Sequence, residues 1–371
     1  MRRTAHKRRR GESGSALIPV LALILACSMI VTAVIAMSQL NVYTMTAHVK
    51  QQKSMYLCEG AANRIQWLVA AERNLNPNVS YDTFDYADYE YDRFLPDGVE
   101  HEMDYHGTPV KFRITDAAAG LDFSRTLRLN TLNRLKMNTA TDAEFTDTMT
   151  TLDNQLRDYT DADDVVTDDG REESGFQLLG QLPLPRNAEF QYREELFFIP
   201  EFTALFPPDE NGRLSAIRMI PPESLRRITV TTTVQQSGGQ RPGFGMQQQQ
   251  QPQRRTQTTN LFVTQPNIFG APDLYLSNVF DLEESQLYDI REGIRQYQTE
   301  RTPLEDVIDS TVFQALKNRS YLAWTPGRAY TVIVTPANGE PAKRLAFTWI
   351  NPDQISGPED GIVRYLEWMF F

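Results

Sequence analysis

Cysteine is almost missing from this chain of 371 residues: there are two, Cys27 and Cys58. That excludes a disulfide scaffold. The two cannot pair with each other either, because 31 residues along what reads as one helix is ~46 Å, far beyond disulfide reach. Histidine is equally scarce, with His6 and His48 outside the body and His101 and His106 within it. The spacing of the last two misses the two-ligand pattern of a helical zinc site. No nucleophile with a histidine base and no glycine loop for phosphate appears, which argues against catalysis. With 20 glycines and 21 prolines, collagen-like and elastin-like compositions are excluded. A mean hydropathy of -0.44 excludes a polytopic membrane protein. What is present, 41% hydrophobic and 10% aromatic residues, suffices for one or two ordinary cores.

Charge is unevenly spread. Residues 1–14 carry Arg2, Arg3, Lys7, Arg8, Arg9 and Arg10 against Glu12, whereas the other 357 residues hold 31 basic and 47 acidic groups, a net of -16. Phosphates need Lys or Arg to displace their counterions, so nucleic acid is not an expected partner. Between Glu12 and Lys50 there is no Asp, Glu, Lys or Arg. Residues 16–37 are almost wholly apolar, and about 20 such residues span a bilayer. The basic cluster in front should remain cytoplasmic, which puts the body outside, in the periplasm of a diderm cell.

The helical pattern does not stop with the span. From Ser38 to Arg73 there is no proline and one glycine, Gly60, while Leu57, Ala61, Ile65 and Leu68 recur at helical spacing. One helix over 15–73 is expected, ~88 Å long, half in lipid and half docked on a soluble domain. Asn74, Asn76 and Pro77 should end it. A basic leader, a glycine, a small residue and an unbroken helix resemble a type IV prepilin, in which prepilin peptidase removes the leader on the cytoplasmic side. The resemblance implies cutting between Gly14 and Ser15, with Gly11 as the alternative. Most members have Glu at mature position five; Pro19 stands there in this chain. Proline is tolerated in a first helical turn. An unpaired carboxylate in lipid would be costly, so its absence suits a subunit with no predecessor, at a filament tip.

In the body, residues 81–94 hold six aromatics and five acids, read as a loop or edge strand. Pro109 to Thr115 alternates as a half-buried strand. Residues 142–159 place Phe145, Met149, Leu152 and Leu156 on one helical face. Then follow eight carboxylates in sixteen residues, Asp158, Asp161, Asp163, Asp164, Asp168, Asp169, Glu172 and Glu173, with Arg171 alone to offset them. Such a cluster is solvated or holds a cation. Oxygen-only donors suit calcium, although the EF-hand order is absent. The preferred ligands are Asp161, Asp163, Asp168 and Glu172, with Asp164 and Asp169 as substitutes.

This stretch resembles the K-type minor pseudopilin of type II secretion (general secretion pathway protein K). The family's run of aromatic, Asp-x-Asp, Gly-x-Glu, aromatic and Phe before a Glu-Leu helix is matched by Tyr159, Asp161 and Asp163, Gly170 and Glu172, Phe176, Phe190, and Glu195 with Leu196. Tyr159 replaces the usual Trp, and Ser174-Gly175-Phe176 stands where paired tyrosines are usual. Farther on, 226–234 reads as a Thr-rich strand, 236–258 as a mobile Gln/Gly-rich loop, and 282–298 and 303–318 as two helices. That pair resembles helical-hairpin modules that elsewhere bind DNA, but its acidity favours a structural role. Residues 330–335 and 344–350 read as a hairpin about Asn338-Gly339, and 362–369 as a third strand.

The fold class expected is α+β: a long N-terminal transmembrane pilin helix packed on an antiparallel sheet, the pilin-like αβ-roll, with a large inserted helical domain. Residues 78–125 and 321–371 should form the β domain. Residues 126–320 should form the insertion, with helical units at 126–225 and 271–320. The resemblance implies a non-enzymatic pseudopilus-tip subunit supporting protein export and anchored in the inner membrane. It also implies bound calcium, and as partners the I-type and J-type minor pseudopilins, the major pseudopilin and prepilin peptidase. The alternatives are a minor type IV pilin or competence-type pseudopilin, and a membrane-anchored periplasmic calcium-dependent sensor or enzyme.

Overall fold

The computed structural model describes residues 17–76, 78–124, 128–139, 142–178, 184–190, 192–209, 212–218, 227–233, 254–260, 265–327, 329–336, 345–350 and 364–370. The leader with Gly14 and Ser15, the Asn338-Gly339 turn and residues 236–253 of the Gln-rich segment lie outside them.

Helix α1 runs unbroken over Leu17–Leu75, about 88 Å at 1.5 Å per residue. Pro19 falls in its first turn, where its missing N–H breaks no intrahelical bond. Residues 17–50 are exposed along every face, and this stretch is long and apolar enough to cross a membrane. Beyond it the helix becomes one-sided. Ser54, Cys58, Ala61, Ala62, Ile65, Val69 and Glu72 are buried. The buried stripe is thus one position beyond the expected Leu57 and Leu68, both half-buried. Small residues let the backbone approach closely: a side chain at Gly60 would run into the Tyr105 ring.

That stripe packs on a five-stranded antiparallel sheet of order β1-β2-β5-β6-β7. Its strands are β1 (Asp97–Tyr105), β2 (Thr108–Asp116), β5 (Ala329–Pro336), β6 (Leu345–Ile350) and β7 (Arg364–Phe370). On β2, Val110, Phe112 and Ile114 face the helix, as the alternation predicts, and Val332, Val334, Leu345 and Phe347 complete this smaller core. Strand β1 is an addition to the expected sheet. Its hairpin turn is His106-Gly107, with φ of 52° and 80°, the positive pair that a two-residue type I′ turn requires.

Strands β2 and β5 are neighbours in space with residues 117–328 between them in sequence. This insertion carries α2 (Arg128–Leu135), α3 (Ala143–Thr160), α4 (Glu173–Leu178), a 3-10 turn (Arg193–Phe198) and α5 (Pro200–Leu205). It continues with β3 (Arg227–Thr233), β4 (Arg254–Asn260), α6 (Asp273–Phe280), α7 (Glu284–Glu300), α8 (Leu304–Val307) and α9 (Ser310–Asn318). Asp142 caps α3 by accepting from Phe145 N–H at 3.1 Å. The expected second helix of the 282–318 unit is broken between α8 and α9, where Asp309 caps a fresh start. Helix α6 was not expected. The last five residues of the expected loop, 254–258, belong to β4, which pairs with β3.

The larger core joins the insertion to residues 79–99, because Tyr81, Phe84, Tyr86 and Leu95 bury against it. The aromatic segment assigned to the β domain therefore serves the insertion as well. At the exit from β2 and the return to β5 the two parts are pinned by one carboxylate. The Asp116 carboxylate accepts from Ala118 N–H and Gly327 N–H, both 2.8 Å, and from Asn267 Nδ2 at 3.1 Å. Just beyond, Ala119 and Leu121 exchange backbone bonds with Asn267, Ala216 and Arg218 at 2.9 Å each. Side chains at Gly120 or Gly270 would strike the crossing backbone.

Candidate functional site

Helix α3 buries Met149, Leu152 and Leu156 completely, with Tyr159 beside them. Asp158, in its last turn, is also fully buried, although the helical wheel sets it well off the apolar stripe. The cause is the following loop, which folds back over it: Thr167 N–H donates to Asp158 Oδ2 at 3.1 Å. Gly170 closes the turn through its N–H to Thr167 O at 2.6 Å, and any side chain there would strike the Asp158 carboxylate.

Around Asp158 stand further acids with unpaired oxygens. Asp161 is the C-cap of α3, and its Oδ1 is buried without a hydrogen bond. Glu172 is 3% exposed, and neither carboxylate oxygen has a partner; Asp158 Oδ1 is likewise unpaired. Burial pushes Glu172 up to about 7, and the charges of Asp158, Asp161, Asp164 and Asp163 push the same way. Asp161 is raised for the same two reasons, burial first. A helix C-terminus is the negative end of its dipole, so these carboxylates gather where the backbone also disfavours anions. Arg171 pairs instead with Glu201 at 3.6 Å.

The remaining sequence candidates sit farther out. Asp163 is exposed and accepts from Val165 N–H at 3.0 Å. Asp164 is exposed and accepts from Asn187 Nδ2 at 3.0 Å. Asp168 and Asp169 are exposed, Asp168 with φ of 39°. Two residues missed in the sequence, Asn187 and Glu189, each keep one buried side-chain oxygen without a partner. Among the described residues no three His, Cys, Asp or Glu side chains are arranged to hold a metal ion. The unpaired oxygens are gathered but not drawn round one point.

An aromatic wall backs the acids. Tyr159 stacks on Phe190 at 5.1 Å and meets Phe176 edge-on at 5.9 Å. Its hydroxyl donates to Glu195 Oε2 at 3.2 Å, while Glu195 Oε1 accepts from Arg186 and from Tyr192 N–H, both at 2.9 Å. Leu196 is fully buried beside them. The aromatic and acidic positions singled out between 159 and 196 thus meet in one place, held by α3, α4 and the 3-10 turn. His101 and His106 lie elsewhere, one buried in β1 and one in its turn.

No family model and no curated protein matches this chain. Among solved structures, the chain is similar to one from the crystal structure of the GspK-GspI-GspJ complex from the enterotoxigenic Escherichia coli type 2 secretion system. The identity is 12%, the match covers 88% of this chain and 99% of that one, and the TM-score is 0.46. What decides the chemistry of the site is this chain's own side chains: oxygen acceptors short of donors, able to take up a proton or a hard cation.

The proton side of that statement is measurable. Because Glu172 holds its proton more tightly folded than unfolded, its contribution to stability is full below about 4.5 and is lost as pH rises through about 7. Thermal melts in chelator at pH 5, 6.5 and 8 should show a midpoint that falls less with pH in Glu172→Gln than in the parent. Identical pH dependence in the two proteins would mean that Glu172 is not under this strain.

Proposed function

We propose that the chain is a non-enzymatic minor pseudopilin of the K type, at the tip of a type II secretion pseudopilus. Prepilin peptidase releases it between Gly14 and Ser15, and residues 16–37 hold it in the inner membrane with the body in the periplasm. The observation that carries this reading is the division of labour along α1. Its inner part is apolar and uncovered, its outer part packs on an antiparallel sheet, and that sheet is interrupted by a large helical insertion. An uncovered apolar helix suits lipid at one end and neighbouring helices of like kind at the other. A bulky insertion is tolerable where no further subunit stacks, which is the tip.

In that role the exposed side of the outer half of α1 is the contact for the I-type and J-type minor pseudopilins, with the major pseudopilin below. Tyr56 and Trp67, 72% and 67% exposed, are its large uncovered rings, the residue types that dominate interface energetics. Full-length protein in detergent, mixed with both partners, should co-elute with them on gel filtration at micromolar concentration. Trp67→Glu should weaken the complex at least about tenfold while leaving the melting temperature of the isolated chain unchanged. Absence of a complex with the unmutated chain would contradict the assignment.

The acidic loop, in this reading, takes calcium. Asp158, Asp161 and Glu172 are the candidate ligands because each keeps a buried oxygen without a donor; the loop has to draw them round the ion, and Asp163 or Asp164 can add oxygens from the exposed side. Bound calcium would supply the positive charge that offsets their mutual repulsion. A cation bound to the folded form alone stabilises it by about 2.7 kcal/mol at a hundredfold excess over Kd. Melts with calcium and with chelator should therefore differ for the parent and coincide for the Asp161→Ala, Asp163→Ala double variant. Coincident melts in the parent would reduce the loop to a solvated acidic surface.

A further inference from the structure

Strand β1 buries two ionisable side chains that the acidic loop does not use. Asp97, at its start, is fully enclosed. Its Oδ2 accepts from Tyr86 OH at 2.6 Å and Tyr297 OH at 2.9 Å, and its Oδ1 from Val99 N–H at 3.0 Å. Its carbonyl accepts from Gln298 Nε2 at 2.8 Å. Two side chains of α7 thus fasten to one residue at the sheet edge. Four residues on, His101 is 2% exposed, with its ring 5.3 Å from both Phe94 and Phe112. Neither ring nitrogen has a hydrogen-bond partner.

We infer that Asp97 and His101 form a pH-compensated latch: two buried groups on one strand, one fastened to α7 and one packed between Phe94 and Phe112, titrate with opposite effect on folding and so keep the buried face of β1 in place through the mildly acid range. The geometry supplies both signs. An imidazolium needs acceptors for two N–H groups, and the Phe94 and Phe112 rings offer none. Burial therefore favours the neutral ring and pushes it down to about 4, with Arg301 adding to this and Asp92 opposing. A histidine so held gives stability that is lost as pH falls from 6.5 towards 4. Asp97 is held only by neutral donors, and burial outweighs them, pushing the carboxyl up to about 6. Stability from this group is full below about 4 and lost as pH rises through 6.

The other groups facing the pair do not replace either effect. Arg301, the C-cap of α7, pairs with Asp92 at 3.0 Å and lies over the Tyr86 ring. Tyr81, Tyr86 and Tyr297 around Asp97 all have raised values, burial first, and stay neutral throughout. Glu100 and Glu102 of β1 itself point outward, Glu100 to Lys111 at 2.8 Å.

The test compares melting midpoints of the full-length chain in detergent at pH 6.5 and 4.5, each variant relative to the parent at the same pH. His101→Phe should gain on the parent as pH falls. Asp97→Asn should lose ground over the same interval, and the double variant should show little net drift. Shifts of the same sign, or none in either variant, would overturn the latch. If a variant fails to fold, the parent decides by NMR. The His101 ring should stay neutral at pH 5 and the Asp97 carboxyl should titrate near 6; a His101 midpoint near 6.5 or an Asp97 midpoint near 3.8 overturns the proposal.

Discussion

The Asp116 carboxylate is the point on which the architecture depends. Neighbouring strands lie about 4.8 Å apart, yet the chain leaves β2 for the whole insertion before it returns as β5. Exit and return must therefore be pinned together, and the three donors on Asp116 come from the exit (Ala118), from the insertion (Asn267) and from the return (Gly327). Burial raises its pKa and the backbone donors oppose that rise. The arrangement reaches the long helix too, since Arg73 near the end of α1 donates to Gly327 O at 2.7 Å. One residue thus ties helix, sheet and insertion.

From that junction the rest of the design follows. The sheet fixes the outer half of α1, so its inner half projects as a rod with no protein cover. The insertion is also fixed to the edge strand β1 through Asp97 and α7, and the 79–99 segment that packs on the insertion is tied to the end of α1 by the Arg93–Glu72 pair, buried at 2.6 Å with the guanidinium over the Tyr89 ring. The acidic loop lies within the insertion, apart from the exposed part of α1.

How much of this is legible in the sequence varies with the physics. A helix free of proline from 38 to 73 and a strand alternating Val110, Phe112 and Ile114 declare themselves because local pattern and tertiary burial agree. So does α3, whose stripe of Met149, Leu152 and Leu156 is buried as spaced. Strand β1 was missed because Glu100, Glu102 and Asp104 are poor strand formers and His101, though buried, does not read as an apolar residue, although His106-Gly107 supplied a turn signal. Asp158 was passed over for a tertiary reason: a loop folding back buries a position that the helix alone leaves in water. Its one local hint is Gly170, the residue that leaves room for its carboxylate. The aromatic positions between 159 and 190 were picked by resemblance, and no periodicity marks them as neighbours.

The proposed role requires α1 to be a retained filament-type helix rather than a discarded export signal. Intact-mass spectrometry of the protein extracted from membranes decides between these. A mature chain beginning Ser15-Ala16-Leu17-Ile18-Pro19, with the apolar half of the helix still attached, is the predicted result. A chain beginning near Ser38, or one that keeps residues 1–14 in the presence of prepilin peptidase, would contradict it.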